Sequence, residues 1–208
     1  MSKIIRGIKI EKAELVKVIA QKEDKFPPPL KGEFAFVGRS NVGKSSLLNA
    51  LIGKKIAFVS KNPGKTRTIN YYEINNKFYL VDLPGYGYAR ISKADREAWR
   101  KIIDRYFAER SWNMKALFAL IDSRRELMDS DIQFLEWAQM LGLKPIVILT
   151  KIDKLSSSDK NSRFIYFENE LRFYKVDKVI LCSSHTKEGI DKLWNVIIEK
   201  VEKVEFDD

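Results

Sequence analysis

One stretch constrains this chain more than any other: residues 38–45 read Gly-Arg-Ser-Asn-Val-Gly-Lys-Ser. They fit the phosphate-binding pattern G-x-x-x-x-G-K-[ST], which is meaningful when a strand precedes it and a helix follows it. The apolar run Phe34–Val37 predicts a buried strand, and Ser46–Ile52 predicts a helix that ends at Gly53. The context is therefore the required one, and a chance glycine-rich turn is the weaker interpretation.

The residue types of this motif suit a phosphate ligand. Gly38 and Gly43 allow the backbone to curl so that several N–H groups face one anion, and the helix N-terminus adds a partial positive charge. The Lys44 ammonium can then bridge the β- and γ-phosphates of a nucleotide, while the Ser45 hydroxyl can hold Mg²⁺. The motif thus predicts a nucleoside triphosphate site.

Composition limits the other possibilities. The chain has 208 residues, which fits one domain with short extensions, and none of its apolar runs approaches the roughly 18 residues that span a membrane. The N-terminus lacks a signal-peptide core, and the single cysteine, Cys182, excludes an internal disulfide framework, so we expect a cytoplasmic protein. The net charge of +10 permits a polyanionic partner, with nucleic acid favoured over an anionic membrane surface.

We divide the chain into three parts. Residues 1–30 are expected to be an N-terminal extension packed on the domain, residues 31–204 the nucleotide-binding domain, and residues 205–208 a frayed acidic tail. Within the extension, residues 9–19 suggest a strand followed by a short helix. The three prolines at 27–29 end any helix and form a stiff connection to the first strand of the domain.

A hairpin is predicted after the phosphate motif. Residues 59–68 are polar and basic and contain Pro-Gly, so they form a loop. Two strand-like runs follow at 69–74 and 77–82, and Asn75-Asn76 between them suits a tight turn because asparagine tolerates positive φ. One antiparallel pair should therefore join an otherwise parallel sheet.

The second strand of this hairpin ends in an acid. Asp82 is followed by Leu-Pro-Gly, which places a carboxylate beside the phosphate motif, where it can hold Mg²⁺. An aspartate that merely begins a turn is the alternative, and the phosphate motif upstream makes it the weaker one.

Strands and helices alternate through the rest of the chain. This alternation predicts an α/β fold with a doubly wound, mostly parallel sheet, one antiparallel hairpin strand and helices on both faces, with the ligand at the carboxyl ends of the strands. The helix near 93–110 mixes basic residues with acids, so we interpret it as amphipathic rather than RNA-facing. We predict strands at 116–121, 145–149 and 179–182, and further helices at 129–141, 156–174 and from 187.

Residues 150–153, Thr-Lys-Ile-Asp, follow one of these strands and can select the base. The Asp153 carboxylate can accept hydrogen bonds from N1–H and the exocyclic amine of guanine, a pair that adenine lacks. The Lys151 stem would cover the ring, and a backbone N–H near Ser184 would meet the guanine O6. A turn after a strand explains these residues equally well in isolation, but their order after the two earlier motifs favours GTP over ATP.

Together the motifs resemble the EngB/YsxC (YihA-type) ribosome-biogenesis GTPases of bacteria, among the translation-factor-class P-loop GTPases. The resemblance covers nearly the whole chain and is weakest in the first 25 residues. Two departures are Arg67, where many members carry glutamine, and Ser183-Ser184, where many GTPases carry Ser-Ala. It rests on residues 38–46, Pro-Gly-Lys-Thr-Arg at 63–67, Asp-Leu-Pro-Gly-Tyr-Gly-Tyr-Ala at 82–89, Arg-Glu-Ala-Trp at 96–99, and residues 150–153.

This resemblance implies a cytoplasmic, monomeric GTP switch that assists assembly of the large ribosomal subunit and, in bacteria, serves normal cell division and septation. The partner would be that subunit or its precursor, through rRNA and ribosomal proteins. The cofactors would be GTP or GDP, Mg²⁺ and K⁺. Thr66 matches the switch-I threonine that senses the γ-phosphate and completes Mg²⁺ coordination, and the Gly85 N–H matches the γ-phosphate contact of switch II.

The expected site has three groups of residues. Those in hydrolysis are Asn41, Lys44, Thr66 and Gly85, and the Mg²⁺ ligands are Ser45, Thr66 and Asp82. The nucleotide-binding set is Gly38, Arg39, Ser40, Asn41, Val42, Gly43, Lys44, Ser45, Ser46, Gly64, Lys65, Thr66, Asp82, Leu83, Pro84, Gly85, Thr150, Lys151, Ile152, Asp153, Ser183, Ser184 and His185.

One expected catalytic group is missing. Ras-type enzymes orient the attacking water with a glutamine directly after the D-x-x-G glycine, and this chain has Tyr86 there. We therefore expect slow intrinsic hydrolysis and stimulation by a partner. In related GTPases an asparagine at the position of Asn41 helps to bind K⁺, which substitutes for an arginine finger. A residue that only stabilises the loop is an equally good interpretation of Asn41.

Two other functions stay open at this point. The first is a GTP-dependent RNA- or protein-binding module with negligible turnover, which the missing glutamine favours slightly. The second is a P-loop small-molecule kinase, which would need an acceptor site and a lid and would not explain residues 150–153. His185 has no metal-ligand spacing around it, and Cys182 is expected to be a small buried residue.

Overall fold

The computed structural model describes residues 4–5, 8–57, 68–86 and 93–202. Nine strands and five α-helices lie within these ranges, and single 3₁₀ turns span Ser111–Asn113 and Ile152–Lys154. The strands are β1 (Ile4–Ile5), β2 (Ile8–Lys9), β3 (Ala13–Ile19), β4 (Glu33–Gly38), β5 (Ile69–Ile74), β6 (Phe78–Asp82), β7 (Met114–Asp122), β8 (Ile146–Thr150) and β9 (Lys178–Leu181). The helices are α1 (Lys44–Ile52), α2 (Lys93–Arg110), α3 (Asp129–Met140), α4 (Ser157–Leu171) and α5 (Ile190–Glu202).

Seven strands form the main sheet in the order β3-β5-β6-β4-β7-β8-β9, and β1 and β2 form a separate antiparallel pair. Only β5 runs against its neighbours, since it is antiparallel to both β3 and β6, whereas the pairs from β6 to β9 are parallel. The predicted hairpin is confirmed: Asn75 and Asn76 have φ of 51° and 54°, the left-handed conformation that asparagine tolerates.

The short helix predicted before the proline run is wrong. Residues 13–19 form strand β3, which pairs with β5 from Ala13–Ile74 to Ile19–Ile69 and has an irregularity between Leu15 and Lys17. The segment contains three β-branched residues in seven, and they favour an extended backbone. The edge of β5 supplies its hydrogen-bond partners, which sequence alone does not show.

Helices cover both faces of the sheet, as a doubly wound fold requires. On one face Leu48 of α1 and Trp194 of α5 pack into a common core. On the other face Tyr106 of α2, Leu135 of α3 and Phe167 of α4 pack into a second core. All six residues of β4 are buried because this strand lies between the two layers. No helix in the described ranges combines the length and apolar character that a membrane crossing needs.

The segment before β4 packs against the sheet and α2. The ring of Phe26 contacts Tyr71 and Tyr106, both at 6.2 Å between centroids, and the Arg105 guanidinium lies 4.4 Å from its centre. The Tyr79 hydroxyl donates to the Pro28 carbonyl at 3.1 Å. These contacts fix the path of the chain into β4.

The described basic side chains of α2 are each paired with an acid. Three of the pairs lie along the helix surface, and the fourth is buried: Arg110 donates from Nε to the Glu33 carboxylate at 2.7 Å, with both side chains under a tenth exposed. This pairing agrees with an amphipathic helix. The surface pairs are Arg100–Asp104, Lys101–Glu97 and Arg105–Glu109.

We predict that Arg110→Met lowers the free energy of unfolding by about 3–5 kcal/mol, because it leaves the Glu33 carboxylate buried without its cation. Urea denaturation measures the loss. Lys101→Met is the matched control, since it removes an exposed partner of Glu97 and should cost less than about 1 kcal/mol. Equal losses in the two variants would contradict a structural role for the buried pair.

Candidate nucleotide-binding site

The two glycines of the phosphate motif are required for different reasons. A Cβ at Gly38 would lie 2.8 Å from the Leu120 carbonyl oxygen and 2.9 Å from the Leu120 Cβ, so glycine is needed for the close approach of β4 to β7. Gly43 has φ of 106°, a left-handed conformation that glycine adopts without strain. The motif therefore combines a packing constraint at its start with a backbone constraint at its end.

The loop ends at the N-terminus of α1, which faces the ligand position. The Val42 N–H donates to the Arg39 carbonyl at 3.2 Å and closes a turn within the loop. The first intrahelical bond of α1 runs from the Leu47 N–H to the Gly43 carbonyl at 2.8 Å. The amides of residues 44–46 precede that hydrogen-bond ladder, so they remain for an anion.

Lys44 and Asp82 meet at the base of this loop. The Lys44 ammonium donates to the Asp82 carboxylate, and the Asp82 residue is 2% exposed. The Leu83 N–H donates to the Phe36 carbonyl at 2.9 Å, which keeps the chain after Asp82 beside β4. Ser45 lies in the first turn of α1. The buried Asp82 carboxylate, which accepts from the Lys44 ammonium, and the hydroxyl of the next residue, Ser45, are oxygen donors of the kind that Mg²⁺ prefers.

The residues predicted to select the base are joined directly to the predicted phosphate loop. The Thr150 hydroxyl lies 2.8 Å from the Val42 carbonyl oxygen and 3.2 Å from that of Ile121. Lys151, which has φ of 62°, extends its Nζ to the Asn41 carbonyl oxygen at 2.7 Å. The loop after β8 and the loop after β4 thus form one continuous surface.

Asp122 is a site residue that the sequence analysis missed. Its carboxylate accepts from Lys151 Nζ at 2.9 Å and from Arg124 at 2.8 Å. Burial alone would raise the pKa of Asp122, but the hydrogen bonds from Arg124 and Lys151 outweigh it and hold that pKa well below its usual range. An acid at the carboxyl end of a strand was the available signal, the same one that identified Asp82.

Ser183 orients Asp153, the residue predicted to recognise the base. Its hydroxyl, fully buried, donates to the Asp153 carboxylate at 2.6 Å and accepts from the His185 and Thr186 N–H groups at 3.2 and 3.1 Å. The hydrogen bond from Ser183 lowers the pKa of Asp153, against a smaller rise from burial. Asp153 is therefore ionised at neutral pH and can accept two N–H groups. Ser184 is half-buried next to it.

Neither Cys182 nor His185 has the surroundings of a reactive group. Burial raises the pKa of the Cys182 thiol to about 12, so the thiol stays protonated and is a poor nucleophile. The described residues contain no cluster of three His, Cys, Asp or Glu side chains that could hold a metal ion. His185 is exposed, and the structure shows only its backbone engaged with Ser183.

Most of the predicted site residues lie together at the carboxyl edge of the parallel strands. The loops after β4, β6, β8 and β9 carry them, and Gly85 lies within the buried segment that follows β6. The predicted loop residues Gly64, Lys65 and Thr66 lie outside the described residues, as does Arg67. The structure therefore brings together those residues predicted to bind phosphate, base or Mg²⁺ that it describes: Gly38, Arg39, Ser40, Asn41, Val42, Gly43, Lys44, Ser45, Ser46, Asp82, Leu83, Pro84, Gly85, Thr150, Lys151, Ile152, Asp153, Ser183, Ser184 and His185.

Known proteins resemble this chain in both sequence and fold. A family model described as 50S ribosome-binding GTPase matches residues 33–151. The probable GTP-binding protein EngB of Thermosipho africanus is 50% identical over 190 residues, which is 91% of this chain and 97% of that protein. The probable GTP-binding protein EngB of Thermotoga petrophila is 50% identical over 188 residues, 90% of this chain and 95% of that protein.

A solved structure agrees with the sequence relatives. The crystal structure of a probable GTP-binding protein engB superimposes with a TM-score of 0.60 and 26% identity, covering 83% of this chain and all of that one. The family model spans more than half of the 208 residues, and the relatives match along almost their whole length. The chain therefore belongs to the EngB family of GTP-binding proteins and is a GTPase.

Proposed function

We propose that this GTPase is a cytoplasmic switch that assists assembly of the large ribosomal subunit and, in bacteria, supports normal cell division and septation. The observation that supports nucleotide binding in this proposal is the contact between the loop after β8 and the loop after β4, made where Lys151 Nζ donates to the Asn41 carbonyl at 2.7 Å. The family description, 50S ribosome-binding GTPase, supports the choice of partner. The net charge of +10 suits a surface that contains rRNA as well as ribosomal proteins.

The phosphate end would work by exchange of partners. The amides that open α1 bind the β-phosphate, while the Lys44 ammonium leaves Asp82 and bridges the β- and γ-phosphates. Ser45, Asp82 and Thr66 would hold Mg²⁺, which neutralises phosphate charge when it is bound. With Mg²⁺ bound, the buried Asp82 carboxylate would still have a positive partner after Lys44 turned to the phosphates.

The base end would select guanine by a pair of hydrogen bonds. The Asp153 carboxylate, oriented by the Ser183 hydroxyl at 2.6 Å, accepts from N1–H and the exocyclic amine. The Lys151 stem covers the ring, and a backbone N–H near Ser184 meets O6. An adenine base lacks this pair of N–H donors, so both hydrogen bonds to the Asp153 carboxylate would be lost, and that loss gives such sites their selectivity.

The γ-phosphate would be sensed by two loops. Thr66 of switch I and the Gly85 N–H of switch II contact it, so both loops are ordered by GTP and relax after hydrolysis. Gly64 and Lys65 belong to the first loop and Leu83 and Pro84 to the second. The partner therefore meets a different surface in each nucleotide state.

Intrinsic hydrolysis should be slow because nothing at position 86 can orient the attacking water. Tyr86 has no side-chain amide, and its hydroxyl donates to the Asp131 carboxylate at 2.9 Å instead. A ribosomal partner or a K⁺ ion held near Asn41 would complete the machinery.

We expect the protein to sediment with purified large-subunit particles more strongly in a non-hydrolysable GTP analogue than in GDP. If the contact is mainly to rRNA phosphates, binding should fall by an order of magnitude or more between about 50 and 200 mM salt. Asp153→Asn is the matched control, since it should lose the GTP-dependent part of binding. Salt-insensitive binding would indicate a protein contact, and equal binding in GDP would contradict the switch.

The same particles decide between a switch and its alternative, a GTP-dependent RNA- or protein-binding module with negligible turnover. We expect particles to raise the phosphate release rate of the wild type at saturating GTP, because they supply the missing orientation of water. Release that stays at the background rate with particles present would favour the module.

The K⁺ hypothesis is tested by Asn41→Gly. Asn41 has φ of 62°, so glycine can take the same backbone conformation and keep the carbonyl that binds Lys151. If the Asn41 amide holds K⁺, wild-type hydrolysis should be at least about tenfold faster in KCl than in NaCl, a modest part of what an arginine finger supplies. The variant should bind GDP normally and hydrolyse GTP equally slowly in both salts. Equal wild-type hydrolysis rates in KCl and NaCl would indicate that Asn41 only stabilises the loop.

A further inference from the structure

The residue that stands in place of the catalytic glutamine is docked on helix α3. The Tyr86 residue is only 8% exposed, and its ring stacks on Phe134 with centroids 5.0 Å apart and planes 9° from parallel. Its hydroxyl donates to the Asp131 carboxylate at 2.9 Å. Both contacts are to the first two turns of α3, so Tyr86 is directed toward this helix rather than free to act on water.

Asp131 is itself held in place. The residue is 2% exposed, and its second carboxylate oxygen accepts from the Met128 N–H at 3.2 Å, which caps α3. Burial raises the pKa of Tyr86 and the pKa of Asp131. The tyrosine therefore keeps its proton at neutral pH and donates it. A buried carboxylate that loses this donor would be costly, so the contact specifies one position for Tyr86.

The phosphate loop takes part in the same contact. Arg39, next to Gly38, forms a parallel backbone bridge with Tyr86, and its guanidinium lies against the Met128 sulfur. The positive charge of Arg39 partly offsets the rise in pKa of both Tyr86 and Asp131, which places it near both groups. Within the described part of the chain, Arg39 Nε is buried without a hydrogen-bond partner.

Both polar and packing contacts connect Tyr86, α3 and the phosphate loop. A cavity of about 370 Å³ lies between the phosphate loop and the start of α3, and Arg39, Met128 and Asp131 are among its lining residues. The Tyr86–Asp131 hydrogen bond, the Tyr86–Phe134 stacking and the Arg39 bridge lie beside this cavity. Together they form what we call the Tyr86 anchor.

The anchor fixes the residue that precedes it. From Asp82 onward the chain stays beside β4: Asp82 is paired with Asn70 and Phe36, Leu83 donates to Phe36, and Tyr86 bridges Arg39. Gly85 is thereby held beside the start of the phosphate loop. Its N–H can meet a third phosphate only if the peptide stays near this place, whereas GDP has no third phosphate to meet.

We infer that Tyr86 is a positioning residue: docked on Asp131 and Phe134 of α3, it preorganises the Gly85 peptide for the γ-phosphate and so raises the affinity for GTP relative to that for GDP. The inference rests on the proposed contact between Gly85 and the γ-phosphate. Without the anchor, the free-energy cost of ordering the Gly85 peptide would lower the affinity for GTP. The affinity for GDP, which does not contact this peptide, would stay the same.

Tyr86→Phe tests the anchor, because it removes one hydroxyl and keeps the ring stacked on Phe134. We expect the dissociation constant for a non-hydrolysable GTP analogue to rise about tenfold, the equivalent of one hydrogen bond to a charged group, while that for GDP changes less than about twofold. Asp131→Ala should give the same selective loss, and the double variant should be no worse than either single one because both remove the same contact.

Tyr79→Phe is the matched control. It also deletes a buried tyrosine hydroxyl, but one that donates to the Pro28 carbonyl away from the site. Its ratio of GTP-analogue to GDP affinity should equal that of the wild type, even if its stability to urea falls. The ratio therefore separates a positioning role from a merely structural one.

Three results would overturn the inference. In the first, Tyr86→Phe lowers the affinities for GDP and for the GTP analogue equally, and in the second it changes neither affinity. In the third, the variant binds the GTP analogue more tightly than the wild type does, which would mean that docking opposes the GTP state. Failure of the underlying function looks different, since the wild type itself would then show no preference for GDP over ADP.

Discussion

The site depends on one charged side chain that links two loops. The Lys151 ammonium lies within hydrogen-bond distance of the Asn41 carbonyl of the phosphate loop and of the Asp122 carboxylate at the end of β7. Three neighbouring strands therefore contribute to one contact, which sets the spacing between the residues predicted to bind the base and those predicted to bind the phosphates. A ligand that fills both pockets must have a base and phosphates at that spacing, which is why the arrangement suits a nucleotide.

Two polar contacts attach the chain before α2, and the end of α2 itself, to the rest of the domain. Before α2, Tyr86 is docked on α3 through Asp131 and Phe134. At the end of α2, Arg110 is buried against Glu33 at the start of β4. Tyr86 and Arg110 are thus each attached to the rest of the domain by contacts with residues distant in the sequence.

Sequence predicted what depends on local signals. The phosphate loop, the Asn75-Asn76 turn and the acids at Asp82 and Asp153 each sit in a pattern that a few neighbouring residues define. Pairings between distant segments were not predictable: residues of β3 were predicted to be helical because their partners in β5 are 50 to 61 residues away, and the contact of Tyr86 with Asp131 spans 45 residues. Gly38 was interpreted as a glycine that lets the backbone curl, whereas the structure shows that the proximity of Leu120 requires glycine there, and that proximity appears only in the fold.

The most direct test of this account is a titration of the wild type and Asp153→Asn with GDP, ADP and XDP, since the base pocket is the part of the site that distinguishes this GTPase from other phosphate-loop proteins. We predict that the wild type prefers GDP and that Asp153→Asn weakens GDP by about 100-fold or more, because two hydrogen bonds to a charged group are lost. The variant should gain affinity for XDP, whose carbonyl can accept from the new amide. Asp177→Asn, an exposed substitution before β9, should behave as the wild type. Binding of ADP as tight as that of GDP would contradict the assignment of the base pocket and the proposed function built on it.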